Sequence, residues 1–142
     1  MKIDPLLILK HKKIKAFYLN TFNWLLVFET DERLFAFEAC GDCCSSSWLE
    51  HVSGIDALLG NEIFNSESVD VKSLDLAEFD CLDSYSFKFQ TMKGWTDMEF
   101  RHEHNGYYGA FIEFKEGVMK WEDLEPVEFK EQYVFRKITE DF

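Results

Sequence analysis

The residue types able to do chemistry gather in two short stretches. The first is Cys40-Gly41-Asp42-Cys43-Cys44-Ser45-Ser46-Ser47-Trp48-Leu49-Glu50-His51. Zinc takes four sulfur or imidazole ligands at the corners of a tetrahedron, and the C-x2-C of Cys40 and Cys43 offers two. His102 and His104 would complete a Cys2His2 set, but they are read as diverging along a strand unless the turn after them begins early. Adjacent Cys43 and Cys44 do not readily share one compact site, so no metal is assigned. Cys43 or Cys44 could instead be a nucleophile, because unpaired amides at a helix start acidify a thiol. His51, two helical turns on, and Asp42 would then have to fold back to assist it. No catalytic residue is assigned, since nothing selects one acid–base pair among 27 Asp and Glu. Any role of Cys40, Cys43, Cys44 and Cys81 stays open; in a non-secreted chain they are expected as thiols.

The second stretch is Phe100-Arg101-His102-Glu103-His104-Asn105-Gly106-Tyr107-Tyr108-Gly109. Tyr107 and Tyr108 could stack a base while Arg101 or Asn105 meets its polar groups, which makes a small-ligand site. The simpler account is a hairpin with cross-strand aromatic pairs, turning at Asn105-Gly106 where positive φ is tolerated. The chain has no G-x-G-x-x-G, Walker A, H-E-x-x-H or G-x-S-x-G run. No cofactor is implied.

Charge narrows the choice of partner. The chain has 142 residues, with 15 Lys and Arg against 27 Asp and Glu, for a formal net charge of -12. Such a surface disfavours direct nucleic-acid binding, which needs concentrated positive charge. The one basic cluster is Lys10, Lys12, Lys13 and Lys15, around His11. A field of this sign favours encounter with a basic protein. A composition 46% hydrophobic and 17% aromatic excludes a disordered acidic tail. The run Pro5–Leu9 is too short to span a membrane and no cleavage site follows it, so a cytoplasmic protein is expected.

The elements that must position these stretches follow from periodicity. Ile14, Ala16 and Tyr18, then Phe22, Trp24, Leu26 and Phe28, then 34–39 alternate as three strands of an antiparallel meander. Turns are expected at 19–21 and 30–33. The serines at 45–47 could cap a helix carrying Trp48, Leu49 and Val52, interrupted by Gly54, resumed over 55–59 and ended by Gly60. A strand starts near Glu62 and runs toward Val71. Residues 67–83 read as an acidic connection. Tyr85, Phe87 and Phe89, then Met98, Phe100 and His102, alternate again, and 107–114 is the expected returning strand. The segment 117–142 looks like an acidic, aromatic appendage, in which 119–121 and 133–135 could each add a strand. The prediction is one α+β domain over 1–142: a mainly antiparallel sheet of meanders and hairpins with one short helical insertion at 46–59.

Taken together, the two stretches resemble a family. Residues 41–51, followed by Gly54-Ile55-Asp56-Ala57-Leu58-Leu59-Gly60 and then by Glu99-Phe100-Arg101 and 105–109, are similar to an uncharacterised small domain of bacteria and their phages. The resemblance covers about residues 13–114 and brings no established activity. Its setting implies a conflict system, such as toxin immunity or neutralisation of host defence.

The expected function is therefore a non-enzymatic, immunity-type inhibitor that binds a basic toxin, such as a nuclease. Its contact surface is assigned to Asp70, Asp75, Glu78, Asp80 and Asp83 in the acidic connection and to Trp121, Glu122, Asp123 and Glu125 in the appendage. Aromatic anchors would supply buried area and the acidic rim would speed encounter. The alternatives are a sponge for a nucleotide-like signal, held by Arg101, Asn105, Tyr107 and Tyr108, and a Cys-dependent enzyme.

Overall fold

The computed structural model describes residues 5–40, 46–74, 81–104, 113–117 and 134–142. After a 3-10 turn, Pro5–Leu9, come β1 (Lys13–Ile14), β2 (Ala16–Asn20), β3 (Leu25–Glu29), β4 (Leu34–Cys40) and β5 (Ser46–Ser53). The helix α1 (Ile55–Leu58) follows, then β6 (Asn61–Glu62), β7 (Asn65–Leu74), β8 (Cys81–Thr91), β9 (Gly94–His104), β10 (Glu113–Gly117) and β11 (Phe135–Lys137). One sheet has the order β10-β4-β3-β2-β11, another β5-β9-β8-β7, and β1 pairs with β6. Every pairing is antiparallel among the described residues. No described helix is long and apolar enough to cross a membrane.

The expected meander is present as β2-β3-β4. Its first turn is longer than expected, so Phe22 and Trp24 precede the strand and Phe22 is 64% exposed. The Asn20 side-chain oxygen accepts the amides of Trp24 and Leu25 at 3.0 and 2.9 Å, and Asn23 adopts a positive φ. An Asn side chain thus satisfies amides that a tighter hairpin would have paired across the strands. At 30–33 the turn falls as expected, with the Thr30 hydroxyl accepting the amides of Glu32 and Arg33.

The helix expected from residue 46 is a strand over its first eight residues. Ser47, Leu49 and Val52 are all buried, yet Leu49 and Val52 are three apart, the spacing of a helical face. A bulge between Leu49 and His51 reconciles this with an extended chain. One extra residue there returns Val52 to the inner face. The i, i+3 pattern therefore came from a bulged strand. Only Ile55–Leu58 is helical, with Ile55 and Leu58 in the core and Gly60 at φ 79° just past it.

One hydrophobic cluster joins the two large sheets. Phe17, Leu19, Leu26, Phe28 and Phe37 from the first meet Leu49, Phe87, Phe89, Met98 and Phe100 from the second. The rings of Phe28 and Phe89 lie 6.1 Å apart between the sheets. On the far side of the meander, Val27, Leu34 and Ala36 form a smaller cluster with Tyr18 and Phe135.

Two further expectations change. The acidic connection is largely a hairpin, since β7 pairs with β8 from Asn65↔Gln90 to Leu74↔Leu82, leaving only 75–80 outside the described residues. A hairpin between β9 and a strand at 107–114 is not available either. Both edges of β9 are already taken, by β5 and by β8. Of that returning strand the described part, in β10, pairs with β4 in the other sheet, Phe114 opposite Ala39.

The C-terminal segment is more than an appendage. Here β11 extends the edge of β2, and Ile138 enters the core. Asp141 accepts the amides of Gly54 and Ile55 at 3.0 and 2.8 Å. Phe142 exchanges both backbone hydrogen bonds with Val52 on β5. Residues 134–142 therefore close an edge of each sheet, which limits wrong pairing there. The predicted 119–121 strand lies outside the described residues.

Candidate functional site

The described parts of the two chemistry-bearing stretches meet at one end of the four-stranded sheet. Register pairs Ser46 with Glu103, Ser47 with His102 and Trp48 with Arg101. On the other edge of β9, Asp83 is opposite His102 and Cys81 opposite His104. Ser46, Leu74, Cys81 and His104 thus stand at neighbouring strand ends.

At this end the inner face changes from apolar to polar. Leu49, Phe100 and Tyr85 form the last hydrophobic row, and the next row is Ser47, His102 and Asp83. These three side chains are 6%, 2% and 5% exposed. The Ser47 Oγ lies 2.7 Å from His102 Nδ1. Burying such groups is tolerable only when they are hydrogen-bonded, so the row is specified by polar pairing. Serine, histidine and aspartate are also the types used in nucleophilic acyl transfer. In this arrangement the hydroxyl is closed to solvent. Replacing Ser47 by alanine removes the group that faces Nδ1, and should cost about 1–3 kcal/mol. Urea denaturation should show the loss in Ser47→Ala and a smaller one in Ser47→Thr, which keeps a hydroxyl.

A second polar group lies on the opposite face. Glu99 and Arg101 pair at 2.7 Å, the Ser84 hydroxyl donates to Glu99 at 2.8 Å, and Arg101 donates to that same hydroxyl at 3.1 Å. Burial works to raise the Glu99 carboxyl, but hydrogen bonds from Arg101 and Ser84, with the Arg101 charge, outweigh it and hold it below its usual range. Arg101 is thus committed to a carboxylate neighbour. Trp48 donates its indole N–H to Glu50 on this side.

The sequence-assigned residues fare unevenly. His102 faces the core, while His51 is exposed on β5, seven residues after Cys44, with no helix to bring it back. The premise that alternate residues of a strand diverge does not hold, because positions two apart share a face. Among the described residues no group of three His, Cys, Asp or Glu is placed to hold a metal. Asp83 is buried, so it does not belong to a solvent-facing acidic surface. Asp70 lies in β7, inside the register shift between Val69 and Lys72. Asp75, Glu78, Asp80, Asn105, Tyr107, Tyr108, Trp121, Glu122, Asp123 and Glu125, with Cys43 and Cys44, lie outside the described residues. Sequence reasoning missed the Ser47–His102 pair, because Ser47 was placed on a helix; the period-2 run Met98, Phe100, His102 was the available signal.

No curated protein and no solved structure matches the chain. Residues 6–114 do match a family model described as a domain of unknown function (DUF7448), and that span contains both stretches and the row between them. The chain belongs to that family, and its C-terminal strap lies beyond the matched residues.

Proposed function

We propose that the chain is a non-enzymatic binding protein of the immunity type, which neutralises a basic protein by direct contact. The observation that supports it is the net charge of -12 on a small two-sheet body. An acidic surface of this strength accelerates encounter with a cationic partner and repels phosphates. The alternative of a nucleotide-like ligand is less well supported, because the described cation assigned to it, Arg101, is already paired with Glu99.

The test is affinity capture from a lysate of the source cells at low salt, with eluates divided between protein and small-molecule mass spectrometry. The expected result is a stoichiometric basic protein that dissociates at high salt and whose own activity falls when the purified chain is added back. A nucleotide-like compound released on denaturation, without a protein partner, overturns the reading.

A further inference from the structure

Register carries the row of Ser47, His102 and Asp83 one step further along β8 and β9. Asp83 is opposite His102, and Cys81 is opposite His104. Positions two apart on a strand share a face, which places Cys81 on the face of Asp83 and His104 on that of His102. Two of the chain's four His, one of its four Cys and a buried Asp thus occupy adjoining register positions. Such a block measures about 5 Å across the strands and about 7 Å along them. Among the described side chains Asp83 and His102 are two ligands, short of the three that would mark a metal site. The next pair in register supplies two more.

Every member of the block is a metal-ligating type. Cys, His and Asp are donors to tetrahedral zinc, at about 2.0–2.3 Å from the ion. A thiolate disfavours magnesium and calcium, which take oxygen ligands. A thiolate and a carboxylate also offset the two charges of zinc. The filled site is then neutral, as it must be where His102 and Asp83 are 2% and 5% exposed. Ser47 supplies the outer contact. A ligating histidine is oriented by a hydrogen bond through its other ring nitrogen, and Ser47 Oγ lies 2.7 Å from His102 Nδ1. When Nδ1 donates to that hydroxyl, the ligating lone pair is on Nε2.

We propose that Cys81, Asp83, His102 and His104 form a zinc site that fastens the ends of β8 and β9. With four protein ligands the site is structural and leaves no open position for a substrate. It stands apart from the proposed function, and from any site built on Cys40 and Cys43. Binding releases the Cys81 thiol proton to solvent.

The experiment uses the full chain, reduced and stripped of metal with a chelator, titrated with cobalt(II) and then with zinc. One equivalent of cobalt should give the visible bands of a tetrahedral centre and a thiolate-to-metal charge-transfer band, and zinc should abolish both. Zinc added to the metal-free chain should raise its thermal midpoint. Cys81→Ser should remove the charge-transfer band. Ser47→Ala keeps all four ligands and should weaken cobalt binding about 10–100-fold, and His104→Gln should weaken it further. His51→Ala, an exposed position on β5, should bind as the parent does. A charge-transfer band that survives Cys81→Ser and disappears in Cys43→Ser overturns the site in favour of the C-x2-C pair. A parent chain that gives no tetrahedral cobalt spectrum overturns it whatever the variants do.

Discussion

Replacing Gly54 by alanine should cost more stability than any other single-methyl addition in the described body. Gly54 has φ 76°, in the left-handed region, where an L residue is disfavoured by about 1–2 kcal/mol. The larger penalty is steric. A Cβ at this position would lie 2.2 Å from the carbonyl oxygen of Trp95, with Trp95 C and Thr96 Cα close behind. These are backbone atoms of the central strand β9, so they cannot rotate away. The same corner is tied by the Thr96 hydroxyl, which donates to the Gly54 carbonyl at 2.7 Å, and by Asp141 accepting the Gly54 amide. Relief of the clash would pull on all of these. A total of about 3–5 kcal/mol is expected, a large part of a margin of roughly 5–15 kcal/mol for a domain. Gly60 is the control. Its φ is 79°, but an added Cβ would meet nothing within 4 Å. Gly60→Ala should therefore show only the conformational cost of about 1–2 kcal/mol. Equal urea midpoints for the two variants would sink the steric account.

Phe28→Ala should be comparably damaging for a different reason. Its ring stacks on Phe17 at 4.8 Å, meets Phe37 edge-on at 5.9 Å, and reaches Phe89 of the other sheet at 6.1 Å. Truncation removes the buried surface and leaves a cavity between the sheets, costing about 3–5 kcal/mol. Phe28→Leu keeps most of the volume and should lose about half as much or less. Phe22→Ala, in the exposed turn before β3, should stay within about 0.5 kcal/mol. The contrast checks which Phe of this aromatic-rich chain build the core. A Phe22→Ala loss as large as that of Phe28→Ala would contradict the burial.

Strand identity was legible in most alternating stretches, although Phe22 and Trp24 continue the alternation of β3 and lie before it. Residues 85–89 and 98–102 each carry a period of two and each is a strand of the expected kind, while 34–39, apolar without a break to Phe37, is a strand buried on both faces. Alternation reports local geometry directly, because successive side chains point to opposite faces. The turn at Thr30 was legible too, since its hydroxyl bonds are made within four residues.

What the sequence by itself determined was a mainly antiparallel β body, its meander, a left-handed Gly after a short helix, and a strongly negative net charge. Only the tertiary structure decided that 46–53 is a strand. An apolar spacing of three belongs equally to a helix and to a bulged strand, and the choice is made by pairing with β9, fifty residues away. Pairing partners were likewise invisible. That β9 is central, so that Phe114 crosses to β4, depends on which edges are already occupied. The Ser47–His102 contact arises from that same register. Local sequence sets which way a side chain can point along its own strand. Which strand lies next to it is decided by burial of the whole set of apolar faces at once.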